Sequence, residues 1–394
     1  MISKELQENL KNSSWIRKMF VEGAALKKIY GDDNVYDFSL GNPYFEPPAK
    51  VVKNLRDLVN SDQLGTHKYM DNAGFPDVRQ KIADDTNKDI IEPLTHEHVM
   101  MTVGAAGGMN VIMRTILDPG QEVMIIAPYF AEYIFYIKNH NGVPVVVNAD
   151  PKTFEPDLAL LESKITSKTR AIIINTPNNP TGVIYSEEML KELASIIERK
   201  EAEIGHEIFL ISDEPYKALI YDGVKAPNIH NYFKNSLIVN SYSKSLGLAG
   251  ERIGYIAMNS KIEDVQMLMA GFAFANRTLG FVNAPAIWQK VVADSLDDSV
   301  DISEYKKRRD VLYNHLTSIG FEMVKPDGAF YLFPKAMIED DVAFVMEAKK
   351  YNLLLVPGSG FGFPGYFRIS YCVDMAMIER SLDAFTKLAE SYKK

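Results

Sequence analysis

Ala171-Ile172-Ile173-Ile174-Asn175-Thr176-Pro177-Asn178-Asn179-Pro180-Thr181-Gly182 passes from an unbroken apolar run straight into a turn braced by two prolines. A short β-branched run with no polar interruption reads as a strand buried on both faces, as in parallel sheets covered by helices. Its polar end and the amide of Asn179 then fall where ligands sit in open α/β sheets, beyond the carboxyl ends of the strands. Taken alone, the turn would be unremarkable.

The same pattern recurs at 122–127, 143–147, 208–212, 237–241 and 253–257, with amphipathic helical stretches between. This alternation predicts an α/β domain with a mostly parallel central sheet and helices on both faces. Beyond residue 286 the order changes to a charged helix at 301–319, short strands at 321–325, 329–333, 353–356 and 366–370, and a terminal helix from about 375. That order predicts a smaller α+β unit. Ahead of the sheet lie a helical arm from Glu5 to Tyr30, a turn at Gly31-Asp32-Asp33-Asn34 and an irregular loop at Gly41-Asn42-Pro43. The expected division is 1–47 as arm and part of the small domain, 48–285 as the large domain and 286–394 as the small C-terminal domain.

The chain has 394 residues, 46% of them hydrophobic and 24% charged, enough for a sizeable core and against disorder. Lys and Arg total 43 against 52 Asp and Glu, and the net charge of −9 argues against nucleic acid or anionic lipid as the main partner. Small molecules are the expected partners. The lone cysteine, Cys372, excludes an internal disulfide and fits a reducing compartment, and the N-terminus lacks the apolar core of a signal peptide. Cytoplasm is the expected location, no membrane span is expected, and the glycosylation sequons at Asn12 and Asn276 are read as chance matches.

Chemistry concentrates at the strand ends. In Ser241-Tyr242-Ser243-Lys244-Ser245, Lys244 stands among hydroxyls with Arg252 downstream. A lysine amine can form a Schiff base with an aldehyde cofactor, and hydroxyl and guanidinium donors suit that cofactor's phosphate. A surface lysine in a serine-rich loop is the competing reading. In Ser212-Asp213-Glu214-Pro215-Tyr216 a strand ends in a carboxylate and, shortly after, a phenol. Such a carboxylate can hold a pyridine nitrogen protonated, and the phenol can reach the ring's own oxygen. Val103-Gly104-Ala105-Ala106-Gly107-Gly108 opens a helix whose small residues admit a phosphate to the amide donors of its first turn. Phe130, just past the 122–127 strand, offers a face for ring stacking.

Together and in this order, these segments resemble the fold type I pyridoxal-phosphate-dependent aminotransferases, above all the aspartate aminotransferase family of classes I and II. The resemblance spans nearly the whole chain. It implies pyridoxal 5'-phosphate as cofactor, Lys244 as its Schiff-base lysine and proton carrier, and Asp213 as partner of the pyridinium nitrogen. It implies Asn179 and Tyr216 on the ring oxygen, Phe130 on the ring face, and Gly104, Ala105, Ala106, Ser241, Ser243 and Arg252 around the phosphate. Tyr69 resembles the family tyrosine that reaches the phosphate of a neighbouring subunit, which implies a homodimer with shared sites. Arg368 and Gly41 are implied at the substrate α-carboxylate, with Asn179 beside them, and Arg277 is weighed as a reader of a side-chain carboxylate from across the dimer.

The implied activity moves an amino group between an L-amino acid and a 2-oxo acid, of aspartate/2-oxoglutarate type or with broad specificity. Two alternatives stay open, a C–S β-lyase on the same cofactor and a non-catalytic cofactor-binding regulator. Gly360-Phe361-Gly362-Phe363-Pro364-Gly365 fits a dinucleotide-binding pattern, but strand-like residues follow where a helix should begin. His96-Glu97-His98 lacks zinc spacing and is read as a polar turn, so no metal site is expected.

Overall fold

The computed structural model describes residues 2–11, 15–61 and 64–393. Its centre is a seven-stranded sheet of β1 (Val99–Thr102), β2 (Glu122–Ala127), β3 (Val143–Asn148), β4 (Thr169–Asn175), β5 (Phe209–Asp213), β6 (Ser236–Ser241) and β7 (Gly254–Met258). The spatial order is β1-β7-β6-β5-β4-β2-β3. Neighbours from β6 to β3 pair in parallel, and β7 alone runs antiparallel to both its neighbours. Alternation explains the apolar runs: Ile172, Ile174 and Leu210 enter one core cluster, while Ala171, Ile173, Phe209 and Ile211 enter the cluster on the opposite face. A strand covered on both sides has no solvated face on which to place polar residues.

Topology decides where the strand ends meet. The parallel strands β2, β4, β5 and β6 finish on one edge, at Ala127, Asn175, Asp213 and Ser241. Because β7 runs the other way, it starts at that edge, with Gly254 paired to Ser241 on one side and to Thr102 on the other. β1 was not anticipated from sequence; it passes directly into helix α1 (Gly104–Ile116) at the same edge. Gly108 sits on the sheet so closely that a Cβ there would lie 3.1 Å from Val239.

The smaller unit has its own core around Phe330, Phe344, Phe367 and Phe385, joined by Met19 and Phe38 from the N-terminal region. Its sheet is formed by β8 (Tyr331–Leu332), β9 (Val356–Pro357) and β10 (Phe367–Ser370), with β10 central and antiparallel to both. Helix Ile302–Ser318, capped by Asp301, packs beside it, and helix Met375–Ser391 packs against that helix. The strand expected at 321–325 does not form: Phe321 is buried in the core, Pro326 follows at once, and Glu322 accepts only one backbone bond, from Lys335. The strand expected at 353–356 splits into the pair Leu353–Leu354 with Tyr36–Asp37 and the separate β9. The arm is helical over Lys4–Lys11 and Trp15–Tyr30; its residues 12–14, Asn12 included, lie outside the described residues. Strand β10 follows Gly365 where a dinucleotide-binding motif would open a helix.

Candidate active site

At the carboxyl edge of the large sheet, under the small unit, lies a cavity of about 360 Å³. Gly41, Ala105, Ala106, Phe130, Asn179, Asp213, Tyr216, Ser241, Ser243, Lys244, Arg252 and Arg368 all line it. Residues more than three hundred positions apart in the chain share this one wall.

Lys244 stands on a single helical turn, Tyr242–Ser245, that springs from β6. Its Nζ donates to the carbonyl of Gly41 at 2.8 Å and lies 5.5 Å from the centre of the Phe330 ring. Burial pulls its pKa down to about 8; the thiol of Cys372 opposes the shift, and Arg368 and Arg252 reinforce it. A lysine so placed spends a usable share of its time as a neutral amine. Gly41 is required by the contact: a Cβ there would fall 2.3 Å from Tyr331 Oη.

Asp213 ends β5 and is buried. Tyr133 Oη donates to its Oδ2 at 2.5 Å, and the Asn175 amide donates to its backbone carbonyl at 2.7 Å. Burial raises its pKa to about 7, against the Tyr133 bond and with the help of Glu214. Its Oδ1 has no hydrogen-bond partner. A buried carboxylate oxygen without a donor is costly, and a protonated ring nitrogen is the donor that would answer it.

At one end of the cavity the first turn of α1, the Ser241 and Ser243 side chains and Arg252 come together. Gly104 adopts φ +66, and a Cβ on it would lie 3.0 Å from Arg252 Nη2. Gly254 is equally constrained, since a Cβ there would meet the Asn240 carbonyl at 2.4 Å. Glycine at both positions lets helix, strand and guanidinium converge into a cradle for an anion. The donor set, the orphaned Asp213 oxygen and Lys244 together fit an aldehyde-bearing, phosphorylated pyridine.

Arg368 on β10 is 2% exposed. Its Nη1 donates to Asn179 Oδ1 at 3.1 Å and its Nη2 to the Ser39 carbonyl at 2.7 Å, and its plane lies over Tyr331 and Phe361 at 4.6 and 4.9 Å. Burial lowers its pKa, and its Nε has no partner. A guanidinium taken out of water without a counter-anion is poised to receive a carboxylate. Tyr216 Oη is hydrogen-bonded to Tyr331 Oη at 2.8 Å, and Phe130 packs edge-on against Tyr133 at 5.6 Å.

Two expected residues lie elsewhere in the single chain. Tyr69 is 92% exposed beside a surface hollow shared with Phe281 and Asn283, and Arg277 is exposed on the helix Val265–Thr278, over the ring of Phe274 at 5.3 Å. The sequence reading passed over Tyr136 and Tyr331, which line the cavity, and Tyr133, which reaches Asp213. Tyr133 stands three residues past Phe130, a spacing that could have marked it; Tyr331 sits inside a predicted strand and carried no signal of its own. His96-Glu97-His98 forms a 3-10 turn capped by the Thr95 side chain.

This lysine, carboxylate and pair of arginines at the edge of a seven-stranded, mostly parallel sheet define the fold type I architecture of pyridoxal-phosphate-dependent transferases. The chain belongs to the class I and II aminotransferases, whose family model matches residues 33–385. It is 31% identical over 373 residues to the aspartate aminotransferase of Thermotoga maritima, covering 93% of this chain and 94% of that one. It is 29% identical over 400 residues to aromatic-amino-acid aminotransferase 2 of Thermococcus litoralis, covering 97% of each. A solved amino transferase of Eubacterium rectale superimposes with a TM-score of 0.97 at 41% identity over 100% of both chains. The Thermus thermophilus aspartate aminotransferase with maleate does so at 0.86 and 26%, over 98% of this chain and 99% of that one. The chain is thus a transaminase. Among the described residues no helix is long and apolar enough to cross a membrane.

Proposed function

We propose that this transaminase works with pyridoxal 5'-phosphate held by Lys244, moving the amino group of an L-amino acid to a 2-oxo acid, with aspartate and 2-oxoglutarate as the leading pair. The observation that carries the reading is one cavity holding a lysine of lowered pKa, an unanswered carboxylate oxygen on Asp213 and two arginines, Arg252 and Arg368. When bound, the cofactor supplies a protonated ring that takes up the electrons released at the substrate α-carbon.

The chain's own groups do the rest. Asp213 would keep the ring nitrogen protonated, and beside that cation it would stay ionised despite the upward shift that burial causes. Arg252, Ser241, Ser243 and the amides of Ala105 and Ala106 would anchor the phosphate, Asn179 and Tyr216 would hydrogen-bond the ring oxygen, and Phe130 would stack on the ring. Arg368 grips the substrate α-carboxylate under Gly41, which orients the α-proton toward Lys244. The neutral Lys244 amine takes that proton and, as an ammonium, returns it.

The aspartate reading is supported by the names of the relatives, and the aromatic-amino-acid relative keeps broader specificity in view. We also read residues 48–285 as the cofactor-binding unit, with 286–394 and the 1–47 arm closing over the substrate, and Tyr69 as reaching the phosphate of a second subunit in a cytoplasmic homodimer.

The test is a half-reaction screen. Purified holoprotein is mixed singly with the standard amino acids, and the absorbance of the aldehyde form is followed into that of the amine form. Aspartate is expected to drive the conversion. No conversion by any amino acid defeats the transfer reading, and release of pyruvate and ammonia without an oxo-acid acceptor assigns a C–S β-lyase instead.

A further inference from the structure

Behind the loop that carries Lys244 lies a second cavity, of about 280 Å³. The loop separates the two spaces residue by residue: Ser241, Ser243 and Lys244 line the catalytic cavity, whereas Tyr242, Ser245 and Leu246 line the rear one. The Asp213 segment behaves alike, with Tyr216 in front, Lys217 behind and Pro215 in the wall of both.

The rear cavity holds a polar group that the fold leaves unanswered. Tyr242 is 8% exposed, and its Oη has no hydrogen-bond partner. A buried hydroxyl in that state carries a standing cost that a polar occupant would relieve. The ring of Tyr255, 6.0 Å from that of Tyr242, forms the adjoining wall.

Charges of both signs face the same space. Lys217 is partly buried, with its ammonium 3.3 Å from Glu214, while Asp85, Asp89 and Asp298 supply carboxylates. Two of these carry surface lysines, Asp85 with Lys88 at 2.8 Å and Asp298 with Lys50 at 3.1 Å. A simple anion would meet the carboxylates, and a simple cation would meet Lys217 and Lys88. An occupant with an ammonium and a carboxylate on one carbon satisfies both, and the volume limits it to a small molecule.

We propose that this rear cavity is a regulatory site for a free α-amino acid, hydrogen-bonded to Tyr242 Oη and lying between Lys217 and the aspartates. Its occupant acts on catalysis through the helical turn Tyr242–Ser245, one face of which carries Lys244. A ligand that binds more tightly when that turn is displaced changes the reach of Lys244 to the extent of that preference.

The test begins with binding. Radiolabelled proteinogenic amino acids are dialysed singly to equilibrium against holoprotein carrying Arg368→Ala, which removes the carboxylate grip of the front cavity. At least one is expected to be retained, and adding Tyr242→Phe should weaken its retention roughly tenfold, the loss that follows deletion of a hydrogen bond to a charged group. Tyr242→Phe removes only a hydroxyl without a partner, so the variant keeps its fold, and Lys217→Met provides a second check. In the unaltered enzyme the same amino acid should change kcat without raising KM for either substrate. The proposal is overturned if none is retained, if retention survives both substitutions, or if the rate effect is purely competitive. The binding arm stands even where the transamination assay fails, so the two readings can fail separately.

Discussion

Asp213 and Arg368 are the two side chains whose environment makes least sense without a ligand, and both lead to measurable consequences. Asp213 has an ordinary pKa of 3.8 and reaches about 7 in the fold. The folded chain therefore keeps a proton that the unfolded chain has lost. The stability this confers is fully present below about pH 4 and is lost as pH rises to about 7, at up to about 1.4 kcal/mol per unit. Cofactor-free Asp213→Asn should lack this slope, so that its urea-unfolding stability relative to the parent grows across that window and levels off above it. Arg368→Lys removes the forked geometry while keeping charge. It is expected to lower kcat/KM by roughly 10- to 100-fold for every amino acid carrying an α-carboxylate, with little change in cofactor affinity; an unchanged kcat/KM would remove Arg368 from the substrate site.

At the scale of elements, the site depends on backbones that approach more closely than side chains allow. Strand β7 must start with Gly254, and α1 with a glycine of positive φ, for Arg252 to reach the cradle. Gly104→Ala should cost about 1–3 kcal/mol in stability, because a non-glycine residue is strained at φ +66. It should also displace Arg252 and weaken cofactor binding, which a fluorescence titration of the cofactor-free chain measures. Strand ends were legible only to within a residue or so, and the errors have a cause. The run at 208–212 extends in the structure to Asp213 because Asn175 on β4 pairs with it across the sheet. β1 was missed because Val-Met-Met-Thr is short and half methionine, and its pairing partner β7 lies far along the chain.

At the scale of the whole molecule, the exposed Tyr69 and the hollow around Phe281 and Asn283 are on a face that a second chain would cover in the proposed homodimer. Sedimentation of the holoprotein should give twice the chain mass, and Tyr69→Phe should weaken cofactor affinity while leaving that mass unchanged. A monomeric enzyme with full cofactor affinity would remove Tyr69 from the phosphate site. The cavity draws on both parts: Arg368 and Gly41 come from outside the large sheet, whereas Asp213 ends one of its strands and Lys244 stands on the turn that follows another.

The amino-acid sequence alone determined the α/β class and the parallel core and singled out Lys244, Asp213, Asn179 and Arg252, because apolar periodicity and strand-end residues are local properties of the chain; Arg368 was singled out by the resemblance to the aminotransferases. Only the tertiary structure decided that Tyr133 holds one oxygen of Asp213 and leaves the other unanswered, that Gly41 takes the hydrogen bond of Lys244, and that Tyr331 closes the floor. These are contacts between residues distant in sequence, and their geometry is set by how helices and strands pack rather than by spacing along the chain.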